Sequence, residues 1–115
     1  MVATYELTRT FPKYEVFGLS SQMQRAAMSI PANIAEGHTR HSLREYLHFL
    51  SIARSSLAEL ETYLEAVPRL GYAPRERTQP LLELAISINK QLIALRNSLA
   101  SHLQEEPVPY DASSP

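Results

Sequence analysis

The chain contains no cysteine. That excludes disulfides, thiolate zinc sites and thiol nucleophiles, and it suits a reducing compartment, so a cytoplasmic location is expected. Glycine is almost as scarce: Gly18, Gly37 and Gly71 are the only three, each beside a change of pattern, and they read as punctuation between helices. No uncharged apolar run approaches the roughly 20 residues needed to cross a bilayer. The first residues lack the basic-then-apolar pattern of a secretory leader, so neither membrane spanning nor secretion is expected. Formal net charge is −1, so there is no global basic field of the kind that drives non-specific binding to nucleic acid. Any contact with RNA has to be local.

With 115 residues the chain makes one domain. Its apolar residues fall into four helical segments, roughly 2 to 11, 19 to 36, 42 to 70 and 75 to 103. The Phe11-Pro12 step ends the first, since proline disfavours a helical residue before it. In the third, Leu43, Tyr46, Leu50, Ala53, Leu57, Leu60, Leu64 and Val67 recur at alternating steps of three and four, which is a heptad seam. Ser42 and Glu45 have capping-box spacing at its start, and Gly71 stands where a left-handed C-terminal residue belongs. The fourth repeats the scheme with Leu81, Ala85, Ile88, Leu92, Leu95 and Leu99, widened by Leu84, Ile86 and Ile93. A face that broad packs on more than one neighbour, with Asn89 and Gln91 assigned to the solvent side. Short connections then predict an all-α, antiparallel up-down-up-down four-helix bundle over residues 1–104, with a shortened first helix and crossings near about +20°. The proline-rich stretch 105–115 has little to bury and is expected to be a disordered tail.

The second segment carries two stripes. Leu19, Met23, Ala26 or Ala27, Ile30 and Ile34 make an apolar one, while Gln22, Arg25, Ser29, Asn33 and Glu36 make a polar one. Pro31 falls inside the pattern and cannot donate to the carbonyl of Ala27. A kink is expected there, with Ser29 or Asn33 available to the freed carbonyl. The polar row reads first as structural: it steadies the kink and meets polar groups on a neighbouring helix or subunit, so Asn33 and Glu36 should be withdrawn from solvent.

The run Ser29-Ile30-Pro31-Ala32-Asn33-Ile34-Ala35-Glu36-Gly37 is specific as well as unusual. With Phe11-Pro12-Lys13 before it, Glu45-Tyr46-Leu47-His48-Phe49-Leu50 after it and Leu70-Gly71-Tyr72 at the last turn, it resembles the four-helix bundle family of 23S rRNA intervening-sequence proteins over nearly the whole chain. The resemblance implies a left-handed bundle that assembles as a homopentamer and has no assigned enzymatic activity. A related branch, the accessory variability determinant of diversity-generating retroelements, is a basic pentamer that works with a reverse transcriptase and RNA. Two departures stand out. The family usually carries further helical turns ahead of the position of Met1, and it often reads Arg-Arg-Ala-Ala where this chain has Gln24-Arg25-Ala26-Ala27.

His38, Arg40, His41 and Arg44 cluster at the second turn, with His48 and Arg54 further along, and the N-terminal amides of the third helix lie beside them. Together with Arg25 they are the candidate nucleic-acid contacts; ordinary surface charge at a helix start is the competing reading and the favoured one. His41, Glu45 and His48 share a helical face, but such spacings arise readily by chance and no further ligand accompanies them, so no metal is expected. Glu59, Glu61 and Glu65 are expected to seek basic partners such as Arg69 or residues of an adjacent helix. No cofactor motif or nucleophile-base pair is present, so no catalytic residue is assigned. The chain reads as a non-enzymatic homo-oligomeric scaffold or adaptor; the alternative is an RNA-binding accessory protein acting with a ribonucleoprotein or reverse transcriptase.

Overall fold

A computed structural model describes residues 1–105. Within them α1 (Val2–Thr8) is followed by a short 3-10 turn at Lys13–Glu15 and three long helices, α2 (Leu19–His38), α3 (Leu43–Arg69) and α4 (Arg75–Glu105). The expected tail at 105–115 lies outside the described residues except for Glu105, the last helical residue of α4. Chain direction alternates from helix to helix. α2 packs on α3 and α3 on α4, while α1 occupies the fourth corner and touches both α2 and α4; α2 and α4 do not meet. The chain is an all-α four-helix bundle with a short first helix, elongated to 54 × 24 × 22 Å.

The α3 seam forms the spine of the core. Leu50, Ala53, Leu57, Leu60, Leu64 and Val67 are buried, and Met23, Ala26, Ala27 and Ile30 of α2 close over them. At the start of α3, Ser42 Oγ accepts the backbone N–H of Glu45 at 3.1 Å. At its end Gly71 adopts φ +76°, the N–H of Tyr72 reaches the carbonyl of Val67 and the N–H of Gly71 reaches that of Pro68. These two bonds make a Schellman cap, which uses glycine because a Cβ disfavours the left-handed region.

Four expectations are corrected. The first segment is helical only to Thr8, because Pro12 begins a separate turn. Gly37 lies inside the last turn of α2 and is buried: a Cβ there would stand 2.9 Å from Phe49 Cβ and 3.0 Å from the Tyr46 ring, so this glycine sets helix proximity instead of breaking a helix. On α4 the buried set is Thr78, Leu82, Ala85 and Leu92, whereas Leu84 and Ile86 face solvent. Asn89, assigned above to the solvent side, is half-buried and accepts a hydrogen bond from Arg54 Nε at 3.3 Å.

Candidate functional site

α2 runs unbroken through Pro31 from Leu19 to His38. Asn33 Nδ2 donates to the backbone carbonyl of Ser29 at 2.8 Å and to Ser29 Oγ at 2.9 Å, and Ser56 of α3 donates to the same Oγ at 2.8 Å. Asn33 therefore serves the carbonyl of Ser29, two residues beyond the expected carbonyl of Ala27. Ser29 and Asn33 are half-buried. Glu36 is not withdrawn from solvent as expected: it is exposed and pairs with Arg40 one turn later. The polar row thus meets α3 through Arg25, which pairs with Glu59, and through Ser29, which accepts from Ser56, while Glu36 stays outside the contact. Ile30 is buried, while Ile34 and Pro31 lie at the edge of an apolar groove.

The basic candidates divide into three places. His38, Arg40, His41 and Arg44 lie together at the α2–α3 turn, all exposed. The His38 ring meets Tyr46 edge-on at 5.9 Å, and the Arg40 guanidinium sits 4.9 Å over the Phe49 ring, a cation–π contact added to its Glu36 ion pair. Arg25 is one half of α2 away: it bonds Gln22 at 2.9 Å and pairs with Glu59 of α3 at 2.5 Å. Glu59 also accepts the Tyr63 hydroxyl at 2.7 Å, which pushes the Tyr63 phenol up from its ordinary value. Of the acidic set, Glu59 is the member that reaches a basic partner on another helix. Arg54 faces α4 and its Asn89 bond. Sequence reasoning grouped residues that the fold separates, because each partner lies 34 or 35 positions along the chain. Among the described residues no group of three or more His, Cys, Asp or Glu is placed to hold a metal ion, and no helix is long and apolar enough to cross a membrane.

The groove is the larger feature. α1 fills only part of the fourth corner, and beside its N-terminal end a cavity of about 370 Å³ opens between α2 and α4. Its floor is Leu57, Leu60 and Leu64 of α3; Ile30, Pro31 and Ile34 form one wall and Leu81, Leu84 and Ile88 the other. Thr4 is the one polar side chain among its lining residues. The groove lies where the shortened first helix expected from the sequence meets three longer ones.

A family model described as 23S rRNA-intervening sequence protein matches residues 1–94, which carry the α2 motif, the turn and most of α4. The chain belongs to the 23S rRNA-intervening sequence protein family. Among solved structures it is similar to a protein of unknown function from the S23 ribosomal protein family of Bacteroides thetaiotaomicron VPI-5482, at 30% identity and a TM-score of 0.73, covering 83% of this chain and 86% of that one. No curated protein matches the chain.

Proposed function

We propose that this family member is a non-enzymatic, cytoplasmic scaffold or adaptor that works as a homo-oligomer, with the pentamer implied by the family resemblance as its assembled form. The observation that carries the reading is the open groove. Leu84 at its rim is 53% exposed, and covering this apolar surface with a second protein surface is favourable. The polar contacts of Ser29, Asn33 and Ser56 fix how α2 and α3 present the groove, a task of positioning and not of chemistry. Light scattering at micromolar concentration tests the proposal: an assembly several times the 13.0 kDa chain mass supports it, and a monodisperse monomer refutes it.

A second reading rests on the α2–α3 turn. His38, Arg40, His41 and Arg44 form a local basic end that symmetry would repeat in an oligomer, so weak individual contacts with RNA could sum to useful avidity. In this reading the protein is an RNA-binding accessory to a ribonucleoprotein or reverse transcriptase. Filter binding with structured RNA across a salt series checks it: retention that falls steeply with salt supports RNA contact, and no retention at low salt removes it.

A further inference from the structure

At the end of the bundle opposite the basic turn, two phenols meet. Tyr14 stands on the 3-10 turn before α2 and Tyr72 in the turn between α3 and α4, and their rings cross edge-on with centroids 6.4 Å apart. Their hydroxyl oxygens are 3.4 Å apart. Among the described residues no other two tyrosine rings are in contact. Tyr72 is held on several sides. Phe11 tilts against its ring at 5.4 Å, its backbone N–H closes the cap of α3 on the carbonyl of Val67, and its hydroxyl reaches Glu15 Oε2 at 2.7 Å. Glu15 is fixed in turn by the backbone N–H of Leu19, which Oε1 accepts at 3.3 Å.

A tyrosine hydroxyl carries one hydrogen, and a carboxylate only accepts. Tyr72 therefore donates to Glu15, and the Tyr14 hydroxyl is left to donate to the Tyr72 oxygen. The line from Tyr14 through Tyr72 ends on a proton acceptor. The Tyr14 hydroxyl and the Glu15 carboxylate together push the Tyr72 phenol up from its ordinary value, so its proton leaves with an electron and not by simple ionisation. Little else in the chain competes for a one-electron oxidant. The sequence has no cysteine and no tryptophan, and methionine is oxidised chiefly by oxygen transfer to its sulfur. Tyr14 is 76% exposed and Tyr72 is half-buried, so the pair is reached from solvent through Tyr14.

We propose that Tyr14 and Tyr72 form an oxidative cross-linking site, at which a diffusible one-electron oxidant joins the two rings as dityrosine. Each phenol gives one electron to one equivalent of oxidant and loses one proton, that of Tyr72 to Glu15 and that of Tyr14 to water. The two phenoxyl radicals combine through the carbons ortho to their oxygens. Those carbons then pass their hydrogens to the oxygens as protons, which restores both phenols, so the protein has lost two hydrogens in all. With the oxygens 3.4 Å apart, rotation of the exposed Tyr14 side chain brings the ortho carbons into bonding range. The linked residues are 58 positions apart, so the bond closes a loop that contains all of α2 and α3. A chain without cysteine thereby gains the restraint on its unfolded state that a disulfide gives elsewhere.

The test uses the whole chain, dilute, with ruthenium(III) tris-bipyridyl generated by a light pulse as the oxidant, and an equal mixture of isotope-labelled and ordinary protein. Dityrosine fluorescence should appear. Trypsin should release the peptides 14–25 and 70–75 joined, lighter than their sum by two hydrogens and with both halves from one chain. The linked protein should melt at a higher temperature than the unlinked one. Tyr14→Phe and Tyr72→Phe should each abolish the joined peptide, and Tyr5→Phe should leave it. Because the Tyr14 ring is exposed, Tyr14→Phe should keep its helical circular dichroism, which separates loss of the site from loss of the fold. Glu15→Gln still accepts a hydrogen bond but takes no proton, and should slow the reaction severalfold at neutral pH. No dityrosine, links made mainly by other tyrosines or only between copies, or an undiminished yield in folded Tyr14→Phe overturns the site. A Glu15→Gln rate equal to that of the unaltered protein overturns the part given to the carboxylate.

Discussion

Ser56 on α3 donates its hydroxyl hydrogen to Ser29 Oγ on α2 at 2.8 Å, and Asn33 donates to that same oxygen at 2.9 Å. One serine oxygen therefore collects two helices' worth of polar groups in the α2–α3 contact. Ser56 is buried, so removing its acceptor strands a hydroxyl, whereas removing Asn33 leaves the Ser29–Ser56 bond in place. Ser29→Ala is expected to cost about 1–3 kcal/mol and Asn33→Leu less, about 1 kcal/mol. In the double variant Ser29→Ala with Ser56→Ala no buried hydroxyl is stranded, and the combined loss should fall short of the sum by about 0.5 kcal/mol or more. Urea unfolding of the four proteins measures this, and strictly additive losses would count against the network.

Gly37 and Gly71 should fail for different reasons when replaced by alanine. At Gly37 the new methyl gains about 1 kcal/mol of helix propensity. It also meets Phe49 Cβ at 2.9 Å and the Tyr46 backbone oxygen at 3.3 Å, atoms that no rotamer change moves away. Overpacking of this kind costs about 1–3 kcal/mol, so Gly37→Ala should be destabilising on balance and should disturb the turn that carries His38 and Arg40. At Gly71 there is open space, and the cost is the left-handed backbone at φ +76°, about 1–2 kcal/mol. Thermal melts give both losses; chemical-shift changes at Tyr46 and Phe49 should accompany the first and be absent from the second.

Arg25 and Glu59 are paired at 2.5 Å, but their side chains are 57% and 35% exposed. Screening leaves such pairs about 0.2–1 kcal/mol. Arg25→Gln should therefore shift the unfolding midpoint only slightly, and the shift should shrink as salt is added. A large, salt-independent loss would show that the pair is more deeply embedded in the assembled protein than in the single chain.

The long α3 seam was legible, since a strict alternation of three and four from Leu43 to Val67 admits one inward face, and the fold buries it from Leu50 onward. The α4 helix was not. Its leucines and isoleucines are dense enough to draw more than one apolar stripe, and only the placement of α1 and α3 decides that Leu82 turns inward while Leu84 faces the groove mouth. Thr78, buried completely, is invisible to a hydrophobic pattern because its hydroxyl bonds back to the carbonyl of Arg75. The α2 motif announced a polar site correctly at Ser29 and Asn33 and overreached at Glu36, whose partner Arg40 lies just past the helix end. The role of Glu15 went unread because its two partners, the N–H of Leu19 and the hydroxyl of Tyr72, are brought to it by the turn before α2 and by a residue far along the chain.

Tyr72 supplies the last test, because its phenol is pushed up from the ordinary value of 10.0 by contact with the Tyr14 hydroxyl and by its hydrogen bond to the Glu15 carboxylate. The folded protein holds this proton more tightly than the unfolded chain does. Its contribution to stability is therefore complete below about pH 10 and drains away as the pH rises above that value, where unfolding releases the proton. Tyr63, raised by its bond to Glu59, acts in the same direction. Unfolding midpoints measured from neutral to strongly alkaline pH should fall above about 10, and Tyr72→Phe should start lower at neutral pH and fall less steeply. In the folded protein, tyrosinate absorbance should show phenols titrating later than the rest, with one late phenol absent in the variant. If Tyr72→Phe declines as steeply as the unaltered protein, the Glu15–Tyr72 bond does not hold in solution.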